Sequence, residues 1–402
     1  MTATFTRPAP QPATEVPTVD EIVSRLAPVL RSTSAESESA RKLAPAAMAA
    51  LIDARVPRAL IPARYGGLEL GPVEGVRLFE ELAAVESSAA WVGMLAAAAG
   101  WLCGLLPQQG AEELLADPRS VINGSLFPPM VAEQVAGGYR VHGRTSFGSG
   151  CQHATWLQFQ AVIMDGAAPR MAPNGMPAAV MVHVPAASAR IIENWDTLGM
   201  RGTGSHDFEV SEMFVPDHLC WAMGPVVTAN PAWTDGLGRM GMWWFSAMVA
   251  SVALGAARAA VADAVELAGA KTPNYSHTLL ADRSQVQDKL ARARAQVDAA
   301  RAYLYATLAS TDRAVANGDK LSIEDGIPLA LAGSNAVEAA CSAVDLVHRC
   351  IGTTGIRSAE PFQRYFRDVH TISQHAFASP ARFESIGKLM LGRESDWPFY
   401  YL

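Results

Sequence analysis

Few side chains in this 402-residue chain are suited to chemistry, and they are scattered along it. Ser149 stands in the run Phe147-Gly148-Ser149-Gly150, where by residue type alone it is a turn serine, since Ser and Gly are what loops use. His370 and His375 are near-neutral proton carriers, able to give or take a proton around pH 7. They lie five positions apart, whereas a metal pair on one helix face needs i, i+4 spacing. His375 thus falls on a different face from His370 and reads as structural. The five cysteines (Cys103, Cys151, Cys220, Cys341 and Cys350) contain no C-x-x-C pair. No metal site and no disulfide framework is expected. Trp91, Trp101, Trp243, Trp244 and Phe245 are candidates to line an aromatic pocket. Core packing accounts for most tryptophans, but three consecutive aromatics cannot all face one side of a helix.

Charge narrows the partners. A formal net charge of -7 argues against nucleic acid and anionic membranes, because an acidic surface attracts neither. Ala89 to Leu106 and Met240 to Ala257 lack charge and approach membrane-spanning length, but their Ala, Gly and Ser content suits close helix packing in a large helical domain. Residues 1-17 are Pro- and Thr-rich, without the apolar segment of a secretion signal, and read as a disordered tail. With the unpaired cysteines, this points to a reducing cytoplasm.

The elements that must position these side chains fall into three blocks, as expected for a chain too long for one core. Residues 18-120 read as helical, opening with the capping box Thr18-Val19-Asp20-Glu21 and an Ile22, Leu26, Leu30 face. A helix over 73-106 and a short one near 111-116 follow. Residues 121-234 carry short β-type runs, with strands expected at 139-145, 156-164, 179-184 and 208-215 and a hairpin turn at Gly137-Gly138. Residues 235-402 return to helices, at 236-270, 282-317, 323-350 and 361-392, which predict a four-helix bundle.

This order of blocks resembles the acyl-CoA dehydrogenases. So do the local motifs Pro62-Ala63-Arg64-Tyr65-Gly66-Gly67, Gly199-Met200-Arg201-Gly202-Thr203-Gly204-Ser205 followed by Phe208 and Val215-Pro216, and Gly352-Thr353-Thr354-Gly355 followed by Pro361, Arg364 and Arg367-Asp368. The string Ser149-Gly150-Cys151-Gln152-His153-Ala154-Thr155-Trp156 is similar to the two-component flavin-dependent monooxygenases of that fold. Where dehydrogenases carry a carboxylate base near the bundle's end, residues 373-380 carry none, while Arg367-Asp368-Val369-His370 supplies a histidine. Taking a proton from carbon beside a thioester needs a placed carboxylate.

The resemblance implies a mainly α fold with an inserted β-barrel or sandwich domain, and a reduced flavin, FAD or FMN, that forms a C4a-hydroperoxide in a dry pocket. It implies that Phe147 and Ser149 lie at the flavin, Ser149 at N5 or O4, with His153 and Trp156 beside the ring. Thr203 and Ser205 would hydrogen-bond the flavin phosphate or ring edge. His370 would move a proton during oxygen transfer. Arg283, Gln287, Arg294 and the Gly352 to Gly355 turn would reach a neighbouring subunit's flavin pyrophosphate, although Arg294 also reads as a solvated helix residue paired with Asp298. The implied assembly is a homotetramer, fed by a separate NAD(P)H-dependent flavin reductase because the chain has no strand-linked G-x-G-x-x-G. The implied substrate is an electron-rich aromatic of indole or phenol type. Two other readings stand beside it: a thioester-oxidising acyl-CoA dehydrogenase, and a non-catalytic scaffold of the same fold.

Overall fold

The computed structural model describes residues 16-173, 175-224, 230, 233, 236-377 and 379-401, so most of the expected N-terminal tail and the expected boundary at 234 lie outside the described residues. Helix α1 (Val19–Ala40) starts at the capping box: Thr18 N–H donates to Glu21 at 2.8 Å, and Glu21 N–H donates to Thr18 Oγ1 at 3.3 Å. Its Ile22, Leu26 and Leu30 face is buried, and α2 (Pro45–Asp53) follows. The single helix expected over 73-106 is two, α3 (Pro72–Val85) and α4 (Ser87–Leu102). Between them Glu86 is extended, and its carboxylate accepts the Ala89 N–H at 2.6 Å, capping α4 as an N-terminal acidic residue should. Neither Gly nor Pro marks this break. Helix α5 (Gln108–Leu115) closes the block.

The β-domain has strands β1 (Ile122–Val135), β2 (Gly138–Gly148), β3 (Trp156–Asp165), β4 (Ala168–Pro169), β5 (Ala179–Pro185), β6 (Arg190–Ile192), β7 (His206–Pro216) and β8 (Cys220–Ala222). They form one sheet in the order β6-β7-β2-β1-β3-β5-β8, with β4 on β3. The β1–β2 hairpin turns at Gly137, whose φ of 79° suits glycine. Strand β1 also pairs β3 in parallel, which no local pattern announces.

The last block holds α6 (Gly236–Arg239), α7 (Trp244–Ala270), α8 (Ser284–Val315), α9 (Ile323–His348), α10 (Phe362–Ile372) and α11 (Ala381–Met390). Helix α7 packs between α3 and α9. Gly255 makes the α3 contact possible, since a Cβ there would lie 2.1 Å from the Glu80 carbonyl oxygen. The fully buried Glu80 carboxylate takes donors from Arg301 (2.7 Å) and Tyr305 (2.5 Å), tying α3 to α8. Among the described residues three helices are long and apolar enough to cross a membrane by composition; in the two that cover the expected runs, about nine-tenths of the apolar window is buried inside the protein (94% and 89%). The expected fourth bundle helix over 361-392 is interrupted after Ile372, where Gln374 and His375 close α10 with i→i−3 bonds, and α11 starts afresh at Pro380, a residue suited to a helix start. The interruption carries His375 and Phe377.

Candidate active site

Two loops of the β-domain meet beneath α4. In the first, β2 ends and the chain turns sharply: Phe147 is left-handed at φ 60°, and Ser149 N–H donates back to the Phe147 carbonyl at 2.8 Å. Gly150, at φ 69°, donates to the Thr203 carbonyl at 2.8 Å and so binds this loop to the second. The second loop runs Met200 (φ 53°) through a single 3-10 turn to Gly204 (φ 53°). Together they bury three hydroxyls in a row: Ser149 Oγ is 2.7 Å from Ser205 Oγ, which is 2.6 Å from Thr203 Oγ1. From α4, Trp91 Nε1–H donates to Ser149 Oγ at 3.2 Å.

Helix α10 clamps the second loop. Asp368 Oδ1 accepts Met200 N–H at 2.6 Å, and Arg367 Nη1 donates to the Leu198 carbonyl at 2.6 Å. Gly199 is required there, because a Cβ would sit 2.2 Å from the Arg367 carbonyl oxygen. Burial pushes the Asp368 carboxyl up to about 7.

The interruption after α10 brings His375 against Trp91 of α4. His375 meets the Trp91 ring edge to face at 5.1 Å between centroids. Desolvation in this aromatic enclosure pushes its pKa down to about 4, although the residue as a whole is only half-buried. The Phe377 N–H points at Nδ1 from 3.4 Å, which assigns the ring proton of the neutral form to Nε2. Phe377 continues the aromatic chain to Phe245 (4.7 Å) and Phe399 (5.1 Å). Phe399 in turn lines an apolar cavity with Leu102, Leu126, Met181, Trp221, Met223, Gly224 and Met242. Trp221 brings a shielded indole N–H without a partner.

His370, expected to move a proton during oxygen transfer, lies on α10 away from the hydroxyl row. Its Nε2 lies 3.0 Å from Asp345 Oδ1 on α9, and its ring packs on Phe366 at 4.5 Å, two positions round the helix from the residue that meets the β-domain. Of the five expected pocket aromatics, Trp91 and Phe245 join the cluster. Trp101 and Trp244 are fully buried and packed on each other at 5.5 Å, while Trp243 is sandwiched between Tyr400, stacked at 4.4 Å, and Gly326. Trp101 and Trp244 belong to the core, while Trp243 borders a separate cavity with Met240, Leu321 and Tyr400. Phe147 is 62% exposed, its edge on Trp195. His153 is held below the usual histidine range by burial, with Nε2 unpartnered.

Arg283 and the Gly352 to Gly355 turn sit together at the far end of the bundle. Arg283 caps the start of α8 with its side chain exposed, and Lys271 Nζ, at the end of α7, donates to the Ile351 carbonyl (2.7 Å) and Thr354 Oγ1 (2.6 Å). Arg294 pairs with Asp298 at 2.6 Å one turn along an exposed face, and Gln287 donates to the Ala281 carbonyl. Among the described residues no group of three His, Cys, Asp or Glu side chains could hold a metal ion. All five cysteines are free thiols, and burial pushes Cys151, in the first loop, up to about 12.

The string that carries the resemblance singles out Ser149, which the structure places at the junction of the two loops. His375 is missed, because the spacing that separates it from His370 assumes one continuous helix. Pro380 was the available signal that this helix stops.

The profile of the acyl-CoA dehydrogenase C-terminal domain matches residues 247–380. An indole-3-acetate monooxygenase of Pseudomonas putida is 31% identical over 342 residues, 84% of this chain and 85% of its own. The oxygenase component of an FADH2-dependent resorcinol hydroxylase from Rhizobium sp. (strain MTP-10005) is 28% identical over 96% of this chain and 97% of its own. Among solved structures, XiaF from Streptomyces sp., in complex with FADH2 and glycerol, superposes with a TM-score of 0.83 at 25% identity, covering 94% of this chain and 97% of that one. Sequence likeness along nearly the whole length thus agrees with the arrangement of loops and helices, and the chain belongs to the two-component flavin-dependent monooxygenases of the acyl-CoA dehydrogenase fold.

Proposed function

We propose that this chain hydroxylates a flat aromatic substrate of indole or phenol type, using reduced flavin delivered by a separate reductase. The observation that carries the reading is the junction of Ser149, Trp91 and His375, a fixed hydroxyl and a neutral imidazole in an aromatic enclosure. When bound, reduced flavin supplies the activation of dioxygen for transfer of one oxygen atom. The chain's own residues do the rest. Ser149 presents its oxygen to the flavin edge, with Phe147 beside the ring. His375, neutral at working pH, presents an Nε2–H donor and holds a proton near the reacting oxygen. Trp91, Phe245 and Phe377 keep water away.

The cavity that ends at Phe399 has a wholly apolar accessible lining but a volume of only about 20 Å³, so it would have to widen to take an aromatic ring. FAD is the favoured flavin because Arg283 and the Gly352 turn offer a second, distant site for a pyrophosphate. They lie at the opposite end of α7, whose 27 residues span about 40 Å. One chain therefore does not bring both sets to one flavin, which favours an assembly in which a neighbour completes the site, as in a homotetramer. Free thiols fit a reducing, cytoplasmic setting.

The test supplies the purified chain with reduced FAD, dioxygen and indole, indole-3-acetate or resorcinol, and follows hydroxylated product. Coupled product with any of them supports the reading. Dye reduction by an acyl-CoA without product from the aromatics would overturn it in favour of a dehydrogenase.

A further inference from the structure

The aromatic chain that starts at Trp91 and His375 ends on a cation. Phe377 meets Trp397 at 5.2 Å, and the Arg382 guanidinium carbon lies 3.9 Å from the centre of the Trp397 ring. Stacking of this kind satisfies the face of a guanidinium and leaves its edge, which carries five N–H donors and no acceptor. Arg382 Nε and Nη1 are shielded from solvent and have no hydrogen-bond partner among the described residues, and the Trp397 Nε1–H is in the same state. Three shielded donors thus gather at one corner of the enclosure without an acceptor. Buried polar groups are paired as a rule, and an unpaired cation costs more than a neutral group. Burial also draws the Arg382 pKa below its usual value.

The acids near enough to act on Arg382 are engaged elsewhere. Asp396 accepts from Ser385 Oγ at 2.8 Å and from Lys388 Nζ at 3.0 Å, and Glu384 lies 3.0 Å from the same Lys388. Tyr400 keeps its proton, because burial pushes its hydroxyl up to about 12. We propose that Arg382 and Trp397 form an anion subsite that takes a carboxylate on the aromatic substrate, so that the chain acts on an aryl alkanoate in preference to the bare ring. The inference rests on the proposed binding of that ring in the enclosure of Trp91, His375, Phe245 and Phe377. A carboxylate brings lone pairs and no donor, the complement of this donor set. An indole N–H would add a further donor. Trp397 packs on Phe399 at 4.8 Å, and Phe399 walls the small apolar cavity. Widening the cavity for a ring therefore moves the wall that covers these donors.

The experiment measures anaerobic binding of indole-3-acetate and of indole to the chain carrying reduced FAD, by quenching of protein fluorescence or by calorimetry. The two ligands share a ring and differ in the carboxylate. The unmodified protein should hold indole-3-acetate about ten-fold more tightly or better, the scale of a hydrogen bond to a charged group. Arg382→Met keeps an apolar stem over Trp397 and should weaken indole-3-acetate roughly ten- to hundred-fold while moving indole by less than about two-fold. Arg382→Lys keeps the charge without the planar fork and should fall between. Trp397→Phe keeps the stack, removes one N–H and should cost a few-fold for indole-3-acetate alone. Should Arg382→Met fail to fold, the lysine and phenylalanine variants carry the same comparison. Equal affinity of the unmodified protein for the two ligands, or a ratio unmoved in the Arg382 variants, would overturn the inference while hydroxylation of indole or resorcinol stood. Parallel losses for both ligands in these variants would also overturn it, as a packing effect. A chain that forms product from none of these aromatics would overturn the functional reading with it.

Discussion

His370 and His375 stand five residues apart and belong to different chemistries. His370 is on the regular helix α10, half-exposed, with Asp345 as partner and Phe366 beneath it. His375 is in the interruption, enclosed by Trp91 and Phe377 and held neutral down to about pH 4. A continuous helix turns each side chain by a set angle and leaves it where that angle falls. An interruption lets the chain place a ring against an element from another domain. Helical regularity serves packing here, and its loss serves the site.

The strongest way to break this comparison is to remove each ring in turn. His375→Ala should retain flavin binding and lose hydroxylation by a factor of about 10² to 10⁴, the usual worth of acid or base help. His370→Ala should leave product formation within a few-fold and cost about 0–1 kcal/mol of stability, as a partly exposed pair does. Single-turnover product yield and urea unfolding check the two, and the reverse order of effects would return the catalytic role to His370.

A second test uses titration. The unfolded chain protonates His375 near its ordinary value of 6.5, whereas the folded chain resists until about 4, so this group makes stability fall as pH drops through that window. Asp368 works in the opposite sense. Its folded carboxyl keeps a proton up to about 7, against an ordinary 3.8, so its contribution is lost as pH rises between those values. His375→Gln should therefore flatten acid destabilisation, and Asp368→Asn should remove a decline towards neutrality, each by at most about 1.4 kcal/mol per pH unit. Unfolding free energies at pH 5 and pH 7.5 that tilt in the same direction for both variants would show that the assigned environments are wrong.

Smaller effects sharpen the picture of the hydroxyl chain and the bundle surface. Ser149→Ala should divert turnover to free hydrogen peroxide by about five-fold, the scale of one hydrogen bond of about 1 kcal/mol, read as the ratio of peroxide to product. Arg294→Ala should cost only about 0.4 kcal/mol, as expected of an exposed i, i+4 pair, with unchanged FAD affinity. A large loss of FAD affinity in that variant would restore Arg294 as a contact to a neighbour's pyrophosphate.

The parts legible in the sequence were those with local causes. The Thr18–Glu21 box, the Gly137 turn and the β-type runs that form β5 and β7 all follow from residues within a few positions of one another. The split at Glu86 was hidden because a carboxylate can cap a helix from within an apolar run, and periodicity carries no mark of it. The pairing of Trp91 with Ser149 joins residues 58 positions apart through two domains, so no spacing could announce it. The family string pointed to Ser149, while its partners Trp91 and His375 depended on how helices end and where those ends meet.

The interruption over residues 373-380 also bears on how such a protein can change. Gln374 and Ala376 face outward while His375 and Phe377 face in, so mutation can sample the first pair freely and the second one ring at a time. Insertions or substitutions there need not propagate along a helix, because α11 starts afresh after Pro380. An evolving lineage, or a combinatorial library confined to this segment, can therefore explore new substrates without first rebuilding the scaffold that keeps it folded.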